Sequence, residues 1–112
     1  MVKPKTRTYA RYSTDAVMLM GRLIQSARKE RKLTSQELAE RAGISRGLLQ
    51  RIEKGDLSCG IGAVFEVASI VGVSLFDADA SSLSKHIKQV EDRLTLLPGS
   101  VRKTSRMVKD DF

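Results

Sequence analysis

The chain has little from which to build a β-fold or a catalytic centre. Aromatic residues make up 4% of its 112 residues and tryptophan is absent. Strands lean on aromatic and β-branched side chains, so packing by Leu, Ile, Val, Ala and Met favours helices. The single cysteine, Cys59, excludes an internal disulfide and suits a reducing compartment. With His86 as the one histidine, no Cys/His cluster can hold zinc, and no metal or cofactor is expected. Cys59 has no recognisable basic partner and the carboxylates form no facing pair, so the chain does not read as an enzyme. Gly60-Ile61-Gly62 lacks the third glycine and preceding strand of a phosphate loop and reads as the entry to a helix. The apolar run Ala16 to Met20 is too short for a secretory core, and nothing approaches a membrane span. A soluble, cytoplasmic protein with no membrane partner is expected.

What is present is positive charge, unevenly placed. The net charge is +7. Residues 1–14 carry four basic groups and no acid, whereas residues 15–80 carry nine of each sign. The excess therefore lies on the ends. Basic ends on a neutral body suit nucleic acid, because Lys and Arg release counterions from phosphates; solubility alone also explains such tails.

Hydrophobic spacing divides the chain into a basic arm (1–14), a helical domain (15–80), a heptad-patterned helix (81–97) and a tail (98–112). A first helix is expected from Asp15, a cap beside Thr14, to about Lys32, with Met20, Leu23, Ile24 and Ala27 inward. Thr34 to Glu37 spell a capping box opening a second helix whose stripe is Leu38, Ala39 and Ala42. Gly43 supplies a turn, Ser45 caps a third helix with Leu48, Leu49 and Ile52 inward, and Gly55 closes it. A fourth helix over Ile61 to Val71 buries Ile61, Val64, Phe65, Val67, Ala68 and Val71. Ser74 to Asp77 repeats the capping pattern and predicts a short fifth helix with Leu75 and Phe76 inward.

The segment TSQELAERAGISRGLLQRIEKG, residues 34–55, carries the functional signal. Ala39, Gly43, Ile44, Leu49 and Ile52 supply the small, turn and apolar positions that two helices crossing in a helix-turn-helix require. This segment closely resembles the lambda-repressor-like, or XRE-type, helix-turn-helix, and IGAVFEVASIVGVSLF resembles that family's fourth and fifth helices. The resemblance covers about residues 18 to 78. It implies an all-α, five-helix DNA-binding domain, with the heptad helix as a C-terminal addition and flexible basic termini. It also implies that Arg28 and Glu53 form a structural ion pair, and that Ser45, Arg46, Gln50 and Arg51 face the major groove. Arg46 and Arg51 would grip guanine and Gln50 would pair with adenine, each good pairing worth about 1–3 kcal/mol of discrimination. A solvated helix face is the alternative. Ser35 and Gln36 at the start of helix two, and Lys54 beyond helix three, would contact phosphates. Gly47, inside the third helix, either permits close approach to DNA or is simply tolerated in the first turn.

Three further features carry expectations. Lys3, Lys5, Arg7 and Arg11, with Tyr9 and Tyr12 interleaved, could enter a minor groove or form a solvated terminus. Leu83, Ile87, Val90, Leu94 and Leu97 recur at alternating intervals of four and three, a coiled-coil seam that either pairs with its copy or folds back. Dimerisation is the expectation favoured, because it doubles the footprint on a palindromic operator. The tail SVRKTSRMVKDDF, with the stretch from Ile52 to Phe76, resembles HipB-type antitoxins. That likeness implies a HipA-type serine/threonine kinase toxin as partner and repression of the shared operon; a stand-alone phage-type or chromosomal repressor is the alternative.

Overall fold

The computed structural model describes residues 8–76 and 79–103. Lys3, Lys5 and Arg7 of the basic arm, Asp77, and residues 104–112 of the tail lie outside them. The described residues are all helical in their regular structure: α1 (Arg11–Glu30), α2 (Ser35–Ala42), α3 (Arg46–Lys54), α4 (Ile61–Ile70) and α5 (Ala80–Thr95). They fall into two units, one ending at Phe76 and one carrying α5.

In the first unit α1 packs on α3, and α2 packs on both α3 and α4. The meeting point is a small aliphatic core in which Ile24, Leu38, Leu49, Val67 and Val71 are fully buried, with Ala27, Ala39, Ile52 and Ala68 filling the gaps. Small residues at 27, 39 and 68 let the helices approach closely, which suits a core of this size.

The local signals of α2 and α3 are realised in detail. The Thr34 hydroxyl accepts the Glu37 amide at 3.0 Å, and the Glu37 carboxylate accepts the Thr34 amide at 2.9 Å. Those bonds hold the Glu37 carboxyl below its ordinary pKa, the Thr34 amide contributing most. Gly43 takes φ 69°, ψ 30°, and Ile44 then donates to the Ala39 carbonyl at 3.0 Å, which closes α2 and turns the chain into α3. The Ser45 hydroxyl accepts the Leu48 amide at 3.0 Å and opens α3.

Several expectations are corrected. Asp15 does not start α1: the Thr14 amide donates to the Ala10 carbonyl at 3.1 Å, so the helix begins at Arg11 and Asp15 lies inside it, 3.9 Å from Arg11. Leu23 is 44% exposed, because the buried face of α1 is the narrower stripe of Gly21, Ile24, Ala27 and Arg28. Ile61 is 72% exposed; as the first residue of α4 it stands at the rim of a cleft lined by Ala16, Val17, Met20, Leu57 and Val64. The short fifth helix is not formed at residues 74–76, which make a bend. There the Ser74 hydroxyl donates to the Phe76 carbonyl, so the residue expected to cap a helix closes a local turn instead. Leu75 is partly buried against the core, but Phe76 is exposed and stacks on Phe65 with ring centroids 6.0 Å apart.

In the second unit, the Asp79 carboxylate accepts the Ser82 amide at 2.8 Å and starts α5. The helix ends at Thr95, with Leu96 as its C-cap, so Leu97 lies outside it. The residue before a proline is disfavoured in helical conformation, and Pro98 follows directly. The helical seam is therefore Leu83, Ile87, Val90 and Leu94, and no residue of α5 is buried.

Candidate nucleic-acid interface

A helix that reads DNA must be anchored on one face and open on the other. The inner face of α3 is Leu49, Ile52 and Glu53, all buried. Its outer face carries Arg46, Gly47, Gln50, Arg51 and Lys54, all exposed. Residues 46 and 50, and 47, 51 and 54, form adjacent rows by helical periodicity, so polar side chains cover one continuous surface.

The anchor at the C-terminal end of α3 is electrostatic. The Arg28 Nε donates to Glu53 Oε2 at 2.7 Å and its Nη2 to Oε1 at 3.1 Å, a two-point contact. The Arg28 Nη1 also donates to the Leu33 carbonyl at 2.9 Å, so the pair ties α1, α3 and the α1–α2 turn together. Both residues are buried. Arg22, which the sequence did not single out, donates from Nη1 to the Glu53 carbonyl at 2.6 Å. Gly21 is the steric counterpart: a Cβ there would lie 2.5 Å from the Ile52 carbonyl oxygen and 2.7 Å from that of Glu53. A larger residue at 21 would push α3 away from α1.

At the N-terminal end, Arg46 projects into solvent with no ion pair among the described residues. Ser45 is exposed, and since its oxygen accepts the Leu48 amide its hydroxyl hydrogen remains free to donate outward. The first-turn amides of α2 at Ser35 and Gln36 have no intrahelical acceptor and point along the axis, as an anion contact requires. Ser35 is half-buried; Gln36 is exposed, its side-chain amide donating to Glu40 at 3.0 Å.

Arg51 is placed differently from Arg46. Its Nε donates to Asp56 Oδ2 at 3.0 Å and its Nη2 to the Ser58 hydroxyl at 3.2 Å. Asp56 in turn accepts the Ser58 amide at 2.8 Å and the Ser58 hydroxyl at 2.6 Å. The two Ser58 bonds, followed by Arg51, hold the Asp56 carboxyl down at about 2, while Asp56 raises the pKa of Arg51. Arg51 thus spans from α3 to the α3–α4 loop and keeps Nη1 open. This loop constellation escaped sequence reading; the only signal was an Asp-x-Ser turn pattern directly after Gly55. In the same loop, burial and the Asp56 charge push the Cys59 thiol up.

Helices α2 and α3 are joined by the tight turn at Gly43. Residues 24–77 match the family model described as Helix-turn-helix. The chain is also similar to the immunity repressor protein of Bacillus phage phi105, at 38% identity over 58 residues. That alignment covers 52% of this chain, and the chain spans only 40% of that relative's length. The matched segment contains the buried core from Ile24 to Val71 and the Arg28–Glu53 anchor, and ends before α5. Among the described residues no cluster of His, Cys, Asp and Glu could hold a metal ion, and no helix is long and apolar enough to cross a membrane.

Proposed function

We propose that this protein is a sequence-specific transcriptional repressor that binds double-stranded DNA with the outer face of α3. It acts by binding, not catalysis, as a homodimer on a palindromic operator. The observation that carries this reading is Arg46: a free guanidinium on the exposed first turn of a helix whose opposite face is locked into the core. Likeness to an immunity repressor supports the same reading. Arg46 and Gln50 would meet base edges, with Ser45 beside them; Ser35, Gln36 and Lys54 would meet phosphates. Arg51, held by Asp56, would present Nη1 in a fixed direction.

The test is selection of bound duplexes from random DNA. A repressor of this kind recovers a palindrome with half-sites about 34 Å apart. Recovery of no consensus would sink the base-reading assignment.

The finer reading, that the repressor is also the antitoxin of a HipA-type kinase toxin, rests on the sequence resemblance of the tail. Its test is a pull-down with such a kinase, using the full chain and a chain ending at Pro98. Recovery of the kinase by neither chain removes that assignment, and equal recovery by both removes the tail's part in it.

A further inference from the structure

We infer that α5 pairs with α5 of a second copy as a parallel, in-register coiled coil. The inference rests on the dimer proposed above and adds its orientation and register.

Leu83, Ile87, Val90 and Leu94 are 37%, 57%, 47% and 60% exposed, a full apolar seam on a helix of 16 residues. Spacing of four, three and four puts Leu83 and Val90 at one core position of the heptad and Ile87 and Leu94 at the other. The positions flanking this seam are then His86 and Arg93 on one side, and Ser84 and Glu91 on the other. Lys85, Lys88 and Asp92 fall on the outer face, where Lys88 and Asp92 lie 3.7 Å apart. Three flanking residues can carry charge, and they decide the orientation.

In a parallel pair each residue of the His86/Arg93 flank meets the other-flank residue five positions further along the second copy. His86 then faces Glu91, twice by symmetry, and Arg93 faces Pro98. One antiparallel register also opposes all four seam residues: it sets Ile87 against Val90 and Leu83 against Leu94, but brings His86 against Arg93. Two shifted antiparallel registers oppose only part of the seam. Setting Val90 against Leu94 leaves Leu83 outside the helical overlap and brings Arg93 against Arg93 and Glu91 against Glu91, and setting Leu83 against Ile87 leaves Leu94 outside it. Of the two registers that use the whole seam, only the parallel one joins a carboxylate to a base.

Disulfide trapping in the full chain tests this, with Cys59→Ser removing the native thiol. In the parallel register Leu83→Cys meets its own copy within the roughly 7 Å that a disulfide spans. In the antiparallel register that uses the whole seam the two 83 positions stand about 16 Å apart along the axis, and in each shifted register either the 83 or the 94 positions stand about 27 Å apart. Oxidising an equal mixture of the Leu83→Cys and Leu94→Cys chains should give 83–83 and 94–94 dimers. A dominant mixed 83–94 product overturns the parallel orientation while leaving a dimer in place. A chain that sediments as a monomer and forms no disulfide overturns the dimer itself, with the DNA-reading face of α3 still to be judged by site selection. As a variant without a core change, Glu91→Lys should weaken self-association roughly three- to tenfold, since two paired contacts become repulsive; unchanged association overturns the charge assignment.

Discussion

Arg51 reaches across from the last turn of α3 to Asp56, Nε to Oδ2, at 3.0 Å. A side chain on the exposed face of α3 is thereby held by the loop that follows the helix, and the loop is held by Ser58. Asp56→Asn should release Arg51 and broaden base preference near it, while thermal stability changes little. The folded Asp56 pKa, about 2, lies below the ordinary 3.8, so its stabilising contribution is complete above about pH 4 and is lost as pH falls towards 2. Carboxyl titration by NMR checks this directly; a midpoint near 3.8 would show that the Ser58 and Arg51 bonds do not persist in solution.

On the proposed interface Arg46 would read bases and Lys54 would grip phosphates, and substitutions separate the two. Arg46→Ala should relax preference at one base position, at about 1–3 kcal/mol against the best site. Lys54→Ala should weaken all sequences alike and reduce the salt slope by about one. Binding titrations on specific and random duplexes at several salt concentrations distinguish the two. Equal losses from both variants on every duplex would show that Arg46 touches only the backbone.

The buried Arg28–Glu53 pair should be costly to break and silent in specificity. Glu53→Ala leaves the Arg28 guanidinium uncompensated among apolar residues, and a loss of about 3–5 kcal/mol is expected in denaturant unfolding. Where the variant still folds, its base preference should match that of the wild type.

Gly21→Ala should cost about 1–3 kcal/mol, because the added methyl meets two backbone carbonyls and not a side chain that can turn away. Thermal unfolding measures it; an unchanged melting temperature would mean that α1 and α3 are further apart in solution.

Gly47 offers the contrast. A Cβ there meets nothing closer than the Ser45 hydroxyl at 4.0 Å. Gly47→Ala should therefore stabilise the fold by up to about 1 kcal/mol through helix propensity. If operator affinity falls despite that gain, the glycine serves close backbone approach to DNA; if affinity holds, the position is merely tolerant.

The sequence by itself determined what depends on neighbours in the chain: the Thr34–Glu37 capping box, the Gly43 turn, the Ser45 cap, the buried stripes of α2 and α3, and the spacing of the α5 seam. Such features follow from backbone amides needing partners and from helical periodicity, both local rules. Tertiary structure decided whatever depends on residues brought together from distant positions. It exposed Leu23 and Ile61, because how much of a helix is buried depends on how many other helices cover it. It turned Ser74 into a bend where the pattern promised a helix. It placed Gly21 against the carbonyls of α3 and bound Arg51 to Asp56, since neither a close backbone approach nor a side chain's choice of partner leaves a periodic trace in sequence.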